Sequence, residues 1–265
     1  MTLKNITLGF LILTLAGTIL GVVVVGINSP ILFTVTPIVS LLSFSFTILH
    51  AGQREGWKKM PILVALIIAA GLFFESLGVA TGLVYGPYHY SDQLGPKFLN
   101  LVPYLIPVAW TMMIYPSLVI AKKIIPENKN KLQYGLAVAA LTGLVMTAWD
   151  VAIDPLNVKA GNWVWEVNGG YFGVPLQNFW GWWLTTFVAI GFYFLITDKM
   201  KVQTLELPDR WAVLAYIFTG ISSLASCMLA GLSGPALAGF FAMIPWMLLG
   251  WMKTSSTTKK QAHHR

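Results

Sequence analysis

Cysteine is almost missing from this chain: Cys227 is the sole thiol in 265 residues, which excludes a disulfide framework and a thiolate metal cluster. Histidine is scarce too. His263 and His264 belong to a polar tail, His50 ends an apolar segment, and His89 lies in a loop expected on the opposite face of a membrane. No metal site is therefore expected from histidine pairs, and His89 with carboxylates is the one arrangement left open. Charge is the third shortage, at 10% of residues against 56% hydrophobic, with 11 Trp and 15 Phe. A soluble domain of this length could not hide so much apolar surface. The few acidic residues also give no sign of a halophilic surface.

What is present is a series of long apolar runs. A transmembrane helix needs about 20 mostly apolar residues to cross roughly 30 Å of hydrocarbon, and eight segments qualify: 5–25, 31–50, 61–84, 101–123, 132–153, 178–197, 211–231 and 236–252. The expectation is an all-α, polytopic transmembrane bundle in a single domain, residues 1–252, with a polar, disordered cytoplasmic tail at 253–265. The first segment reads as a retained helix, because its apolar run exceeds a usual signal-peptide core and no clean cleavage site follows. The last is short and carries Pro245. All of the 17 Lys and Arg except Lys97 and Lys159 fall on one side of this topology, so the positive-inside rule places both termini in the cytoplasm of a multi-pass cell-membrane protein. The net charge of +7 then reflects basic loops facing anionic lipid, with no nucleic-acid partner required. A homo-oligomer is compatible with the chain.

Against this apolar background three carboxylates stand out: Glu75, Asp150 and Asp154. An ionisable group in hydrocarbon costs roughly 2.5–3.5 kcal/mol on insertion scales and so usually marks a working site. At 1.5 Å of rise per residue, Glu75 lies about 21 Å along the third helix and Asp150 about 27 Å along the fifth, with Asp154 at its outer mouth. Asn178 and Trp182 open the sixth helix from that same side. These side chains can converge on one pocket opening toward the outer side. Asp150 and Asp154 are i and i+4 and share a face, which Gly143 and Thr147 extend inward. Gly71, Glu75, Gly78 and Gly82 form a stripe of small residues on the third helix, suited to close helix packing or to a slot for a thin ligand. Asp154 before Pro155 reads equally as the end of a helix and the start of a turn.

Burial and a like-charged neighbour both favour the neutral form of a carboxylic acid. A neutral acid beside an ionised one pairs a proton donor with an acceptor. The two long outer loops, 85–100 and 154–177, are rich in Gly, Pro and aromatics. An interfacial aromatic belt accounts for part of that content, but it does not explain why the acids gather on the same side.

Several runs carry a resemblance: Phe74 to Gly82 (FESLGVATG), Tyr85 to Asp92 (YGPYHYSD), Leu94 to Lys97 (LGPK), Trp149 to Pro155 (WDVAIDP), Gly161 to Glu166 (GNWVWE) and Tyr171 to Asn178 (YFGVPLQN). Together, over about residues 60–185, they resemble the carotenoid biosynthesis membrane protein family, which includes bisanhydrobacterioruberin hydratase and the γ-carotene and lycopene 1,2-hydratases. The resemblance implies a cofactor-free hydro-lyase that adds water across the terminal 1,2 double bond of an acyclic carotenoid, with membrane lipid as its surroundings. It implies Asp150 as acid and Asp154 or Glu75 as the base that positions water, with the roles open to exchange. Asn178 and His89 would hold that water. Trp149, Trp163, Trp165, Trp180, Tyr88 and Tyr90 could stabilise a tertiary cation through their faces, and Asp92 and Glu166 are further loop candidates. The gap between the third and fifth helices would admit the polyene.

Three other activities share some of these residues. A carotenoid end-group cyclase needs the same protonation. An intramembrane prenyltransferase uses paired aspartates to hold magnesium and a diphosphate, yet a second aspartate-rich motif and neighbouring basic residues are missing. A proton-coupled transporter would use buried acids as a relay, but the inner halves of the third and fifth helices offer little beyond Gln133 and Thr142.

Overall fold

The computed structural model describes residues 2–205 and 207–262; His263 and His264 lie outside these. Among the described residues are the eight expected helices: α1 (Leu3–Gly26), α2 (Leu32–Arg54), α3 (Met60–Thr81), α4 (Leu105–Ile124), α5 (Lys131–Ala160), α6 (Leu176–Thr197), α7 (Arg210–Leu229) and α8 (Ser233–Ala262). Each contains a span long and apolar enough to cross a membrane. Helix α8 runs past its apolar span, which ends at Thr254. Central position separates the helices: 72% of the apolar span of α4 is buried in the bundle, against 22% of that of α1. Large apolar side chains such as Ile12, Phe73, Phe192, Phe241 and Leu248 are exposed. A bundle turning such residues outward meets lipid, where no hydrophobic penalty follows.

Two features depart from the expected topology. The outer loops are tied by short strands. In one ribbon β1 (Tyr88–Tyr90) pairs antiparallel with β4 (Trp163–Trp165); in the other β2 (Lys97–Phe98) pairs with β3 (Val102–Pro103), which delays the start of α4. The second departure is α5. The expected helix end at Asp154-Pro155 does not occur, and the helix continues to Ala160, where Gly161 caps it in the left-handed region at φ 73°. A proline inside a helix deprives the carbonyl four residues earlier of its donor. Here that carbonyl belongs to Val151, and the Tyr171 hydroxyl donates to it at 2.9 Å. Tyr171→Phe is therefore expected to lower stability by about 1–3 kcal/mol. The loss should shrink in a Pro155→Ala background, where the backbone N–H returns. Equal losses in both backgrounds, measured by thermal unfolding in detergent, would contradict this account.

At the end of the bundle far from these ribbons, an ionic cluster locks the helices together. Arg54 donates to both oxygens of Asp209, at 2.7 and 2.9 Å, and Lys123 reaches Asp209 at 2.6 Å. Glu55 accepts from Lys122 at 2.7 Å and from Tyr193 at 2.8 Å. Burial pushes the Asp209 carboxyl up, but Lys123 and Arg54 outweigh it and hold the group below its ordinary 3.8. A carboxyl lowered on folding stabilises above its unfolded value and loses that contribution as pH falls through its folded value. Asp209→Asn should thus show a smaller fall in melting temperature than the native chain as pH is lowered from about 5 to well below the ordinary carboxyl value, where the contribution is lost; an identical fall would contradict the assignment.

Candidate active site

Glu75 lies on the inward face of α3, 3% exposed, and among the described residues its carboxyl is met by hydrogen-bond donors rather than by a cation. Trp110 Nε1 on α4 donates to Oε1 at 3.1 Å, Tyr90 donates to Oε2 at 2.8 Å, and Tyr88 donates to Oε2 as well. Strand periodicity explains the two tyrosines, since alternate residues of β1 face the same way; Tyr88 and Tyr90 are buried while His89 between them is exposed. Burial first, then the charge of Glu75, holds both phenols well above their usual range, so they remain protonated donors.

The small stripe on α3 serves a different purpose from those expected. A Cβ at Gly78 would stand 2.6 Å from the Tyr85 ring, and one at Gly181 of α6 closer still. The two glycines together admit Tyr85, 1% exposed, whose hydroxyl hydrogen-bonds Thr185 at 2.6 Å. At Gly78 the stripe thus takes a loop tyrosine in place of a helix backbone or a ligand.

Because α5 continues through Pro155, Asp154 stands inside the helix instead of at its mouth, one turn beyond Asp150. Both are buried, at 2% and 0% exposed. Asn178, in the first turn of α6, uses one amide to bridge them: Nδ2 donates to Asp150 Oδ2 at 2.9 Å and also to Asp154 Oδ2. Asp150 Oδ1 is buried with no hydrogen-bond partner. Two carboxyls joined through one amide, with no cation between them, cannot comfortably both be charged.

A cavity of about 160 Å³ brings the two acid centres together; Glu75, Asp154, Asn178, Asn157 and Asn162 line it with Trp110, Trp149, Trp163, Trp165, Trp182, Tyr85, Tyr88 and Tyr90. Three indoles follow one another along its wall, Trp110 to Trp182 at 4.6 Å and Trp182 to Trp149 at 5.9 Å between ring centres. Trp149 is fixed by donating to Ser223 at 2.9 Å. Trp165 Nε1 is buried with no partner. Acids at one end and aromatic faces along the wall suit a reaction that creates positive charge on an apolar substrate.

Comparison with known proteins places the chain in a family. A family model described as carotenoid biosynthesis protein matches residues 35–245. The chain belongs to the carotenoid biosynthesis protein family. Over 116 residues it is 30% identical to the bisanhydrobacterioruberin hydratase of Haloarcula japonica, a stretch that is 44% of this chain and 38% of that relative. The chain thus covers well under two thirds of the relative's length. No solved structure matches it. The family match includes every residue of the cavity wall named above.

Within this carotenoid biosynthesis protein, most of the expected site residues meet at the cavity. Four do not. His89 is turned outward by the strand period and stands 3.4 Å from Glu166, with both side chains more than half exposed. Asp92 is fully exposed and pairs with Lys97 at 2.8 Å. Trp180 is 56% exposed and stacks on Trp183 at 4.8 Å. Asp150 sits behind Asp154 and is absent from the cavity wall. The expected opening between the third and fifth helices is also filled, because α4 and α6 each pack against both α3 and α5. Trp110, Tyr85, Asn157 and Asn162 are wall residues that sequence reasoning did not single out; an indole in an apolar helix reads as ordinary core until the carboxylate it serves is placed beside it.

Proposed function

We propose that this protein is a cofactor-independent carotenoid hydratase that adds water to the terminal 1,2 double bond of an acyclic end group. The observation that carries the reading is the pair of separate acid centres, Asp150–Asp154 and Glu75, at one aromatic-walled cavity in a membrane bundle. Asp154 faces the cavity and is the proton donor; Asp150, joined to it through Asn178, shares the proton behind it. This exchanges the order expected of the two aspartates, since only Asp154 has access to substrate.

The proton passes from Asp154 to the less substituted alkene carbon, and the π electrons form the new C–H bond. Positive charge is left on the tertiary carbon. The faces of Trp110, Trp149 and Trp182 stabilise that charge, each by roughly 0.5–2 kcal/mol. Water then adds to the cation, and its proton passes toward Glu75, whose tyrosine and tryptophan donors hold the carboxylate in place. Trp165 Nε1, free on the wall, orients the water or the product hydroxyl. Proton return from Glu75 to the aspartate pair restores the starting state.

The lining favours hydration over cyclisation, because Asn157, Asn162 and Asn178 make one wall of the cavity suited to water. A prenyltransferase would need cations beside a diphosphate, and among the described residues the wall carries no Lys or Arg. By the positive-inside rule the site opens to the outer side, with both termini cytoplasmic. The test is expression in a host that accumulates an acyclic carotenoid, with extracts analysed by mass spectrometry. A product heavier by one water supports hydration, and a product isomeric with the substrate identifies a cyclase.

A further inference from the structure

A second and larger cavity, of about 530 Å³, lies between α1, α2, α5 and α7. It adjoins the reactive cavity, since Trp149, Ile153, Met112, Leu105, Asn157 and Thr36 line both. Its wall on α1 runs from Gly17 to Gly26, about 14 Å at 1.5 Å per residue, or nearly half the hydrocarbon thickness.

Small residues on facing helices usually mean close packing, and a Cβ at Gly17 would indeed stand 2.7 Å from Val39 and one at Gly26 3.3 Å from Leu229, but between them the wall is open. A Cβ at Gly21 would meet nothing within 4 Å. Ser223 accepts from Trp149 of α5, but other hydroxyls of the wall bond within their own helices. Thr18 donates to Leu15 O at 2.8 Å, Ser40 to Thr36 O at 2.9 Å and Ser222 to Thr219 O at 2.9 Å, each within its own helix. Satisfied internally, these residues present thin, effectively apolar surface. A narrow slot of this kind, ending at the acids, fits an extended isoprenoid chain.

We infer that the unreacted polyene lies in this slot between α1/α2 and α5/α7, with its reacting end inserted past Trp149 into the acid-lined cavity. The inference rests on the hydratase reading for the identity of the ligand, but its location stands on the geometry. The full chain would be purified in mild detergent from a host making an acyclic carotenoid. Visible absorbance per protein reads bound polyene, mass spectrometry reads product, and thermal unfolding confirms the fold.

Gly21→Phe and Ser222→Phe fill the slot from opposite walls. Gly9→Phe is the control, on the same helix, outside the slot and equally open. The native chain, Gly9→Phe and the inactive Asp154→Asn should carry polyene, while at least one folded slot-filling variant should lose bound polyene and turnover by tenfold or more. Native levels of both in every folded slot-filling variant, or no polyene on any folded protein, overturns the inference; the first of these would mean that the slot holds only lipid chains. Polyene bound by the native chain and lost on filling the slot, with no hydrated product, would keep the slot and remove the hydratase reading.

Discussion

Asp154→Asn is expected to lower hydration by roughly 10²–10⁴-fold, the range that a positioned general acid contributes, with the protein still inserted and folded. The amide keeps the shape of the side chain and can still accept from Asn178, so the bridge between α5 and α6 need not break. What it lacks is a transferable acidic proton. Asp150→Asn should impair turnover less, because Asp154 remains at the cavity, though it no longer shares a proton with a second acid. Native turnover by Asp154→Asn would remove the proposed acid. A greater loss for Asp150→Asn than for Asp154→Asn would restore the order read from the sequence.

The largest expected effect on stability is at Glu75. Its two oxygens accept from Tyr88, Tyr90 and Trp110, so one carboxylate ties α3 to α4 and to the β1–β4 ribbon. Glu75→Ala would leave three buried donors unpaired. At about 1–3 kcal/mol each, the loss should reach at least about 3 kcal/mol even if water relieves part of it. Turnover should vanish along with the melting temperature. Glu75→Gln, which keeps an acceptor but turns an amide N–H toward a donor, should be intermediate in stability. A native melting temperature for Glu75→Ala would show that the ribbon is held by other contacts.

Much of this site can be read without coordinates, for a physical reason. Charge is so costly in hydrocarbon that Glu75, Asp150 and Asp154 announce themselves, and the period of the helix places the aspartates on one face. Hydropathy likewise gives eight spans, because the bilayer sets their length. What escapes is non-local. Pro155 looks like a helix end because its rescue comes from Tyr171, in the next loop. His89 looks like a ligand because nothing nearby in sequence reveals that β1 pairs with β4 and turns alternate residues outward. Gly78 looks like a packing or ligand surface until Gly181, on another helix, is seen to share Tyr85 with it. The slot behind Trp149 is still less legible, because α1 glycines that leave space and glycines that close it have the same sequence.

The central claim is that water from solvent becomes the hydroxyl of the product. Purified protein in lipid nanodiscs would be given an acyclic carotenoid in ¹⁸O-enriched water, and the product oxygen read by mass spectrometry. The account predicts a single added oxygen per hydrated end, labelled in proportion to the enrichment and lost with Asp154→Asn. A product that contains no added oxygen, or one whose oxygen is unlabelled, would contradict it.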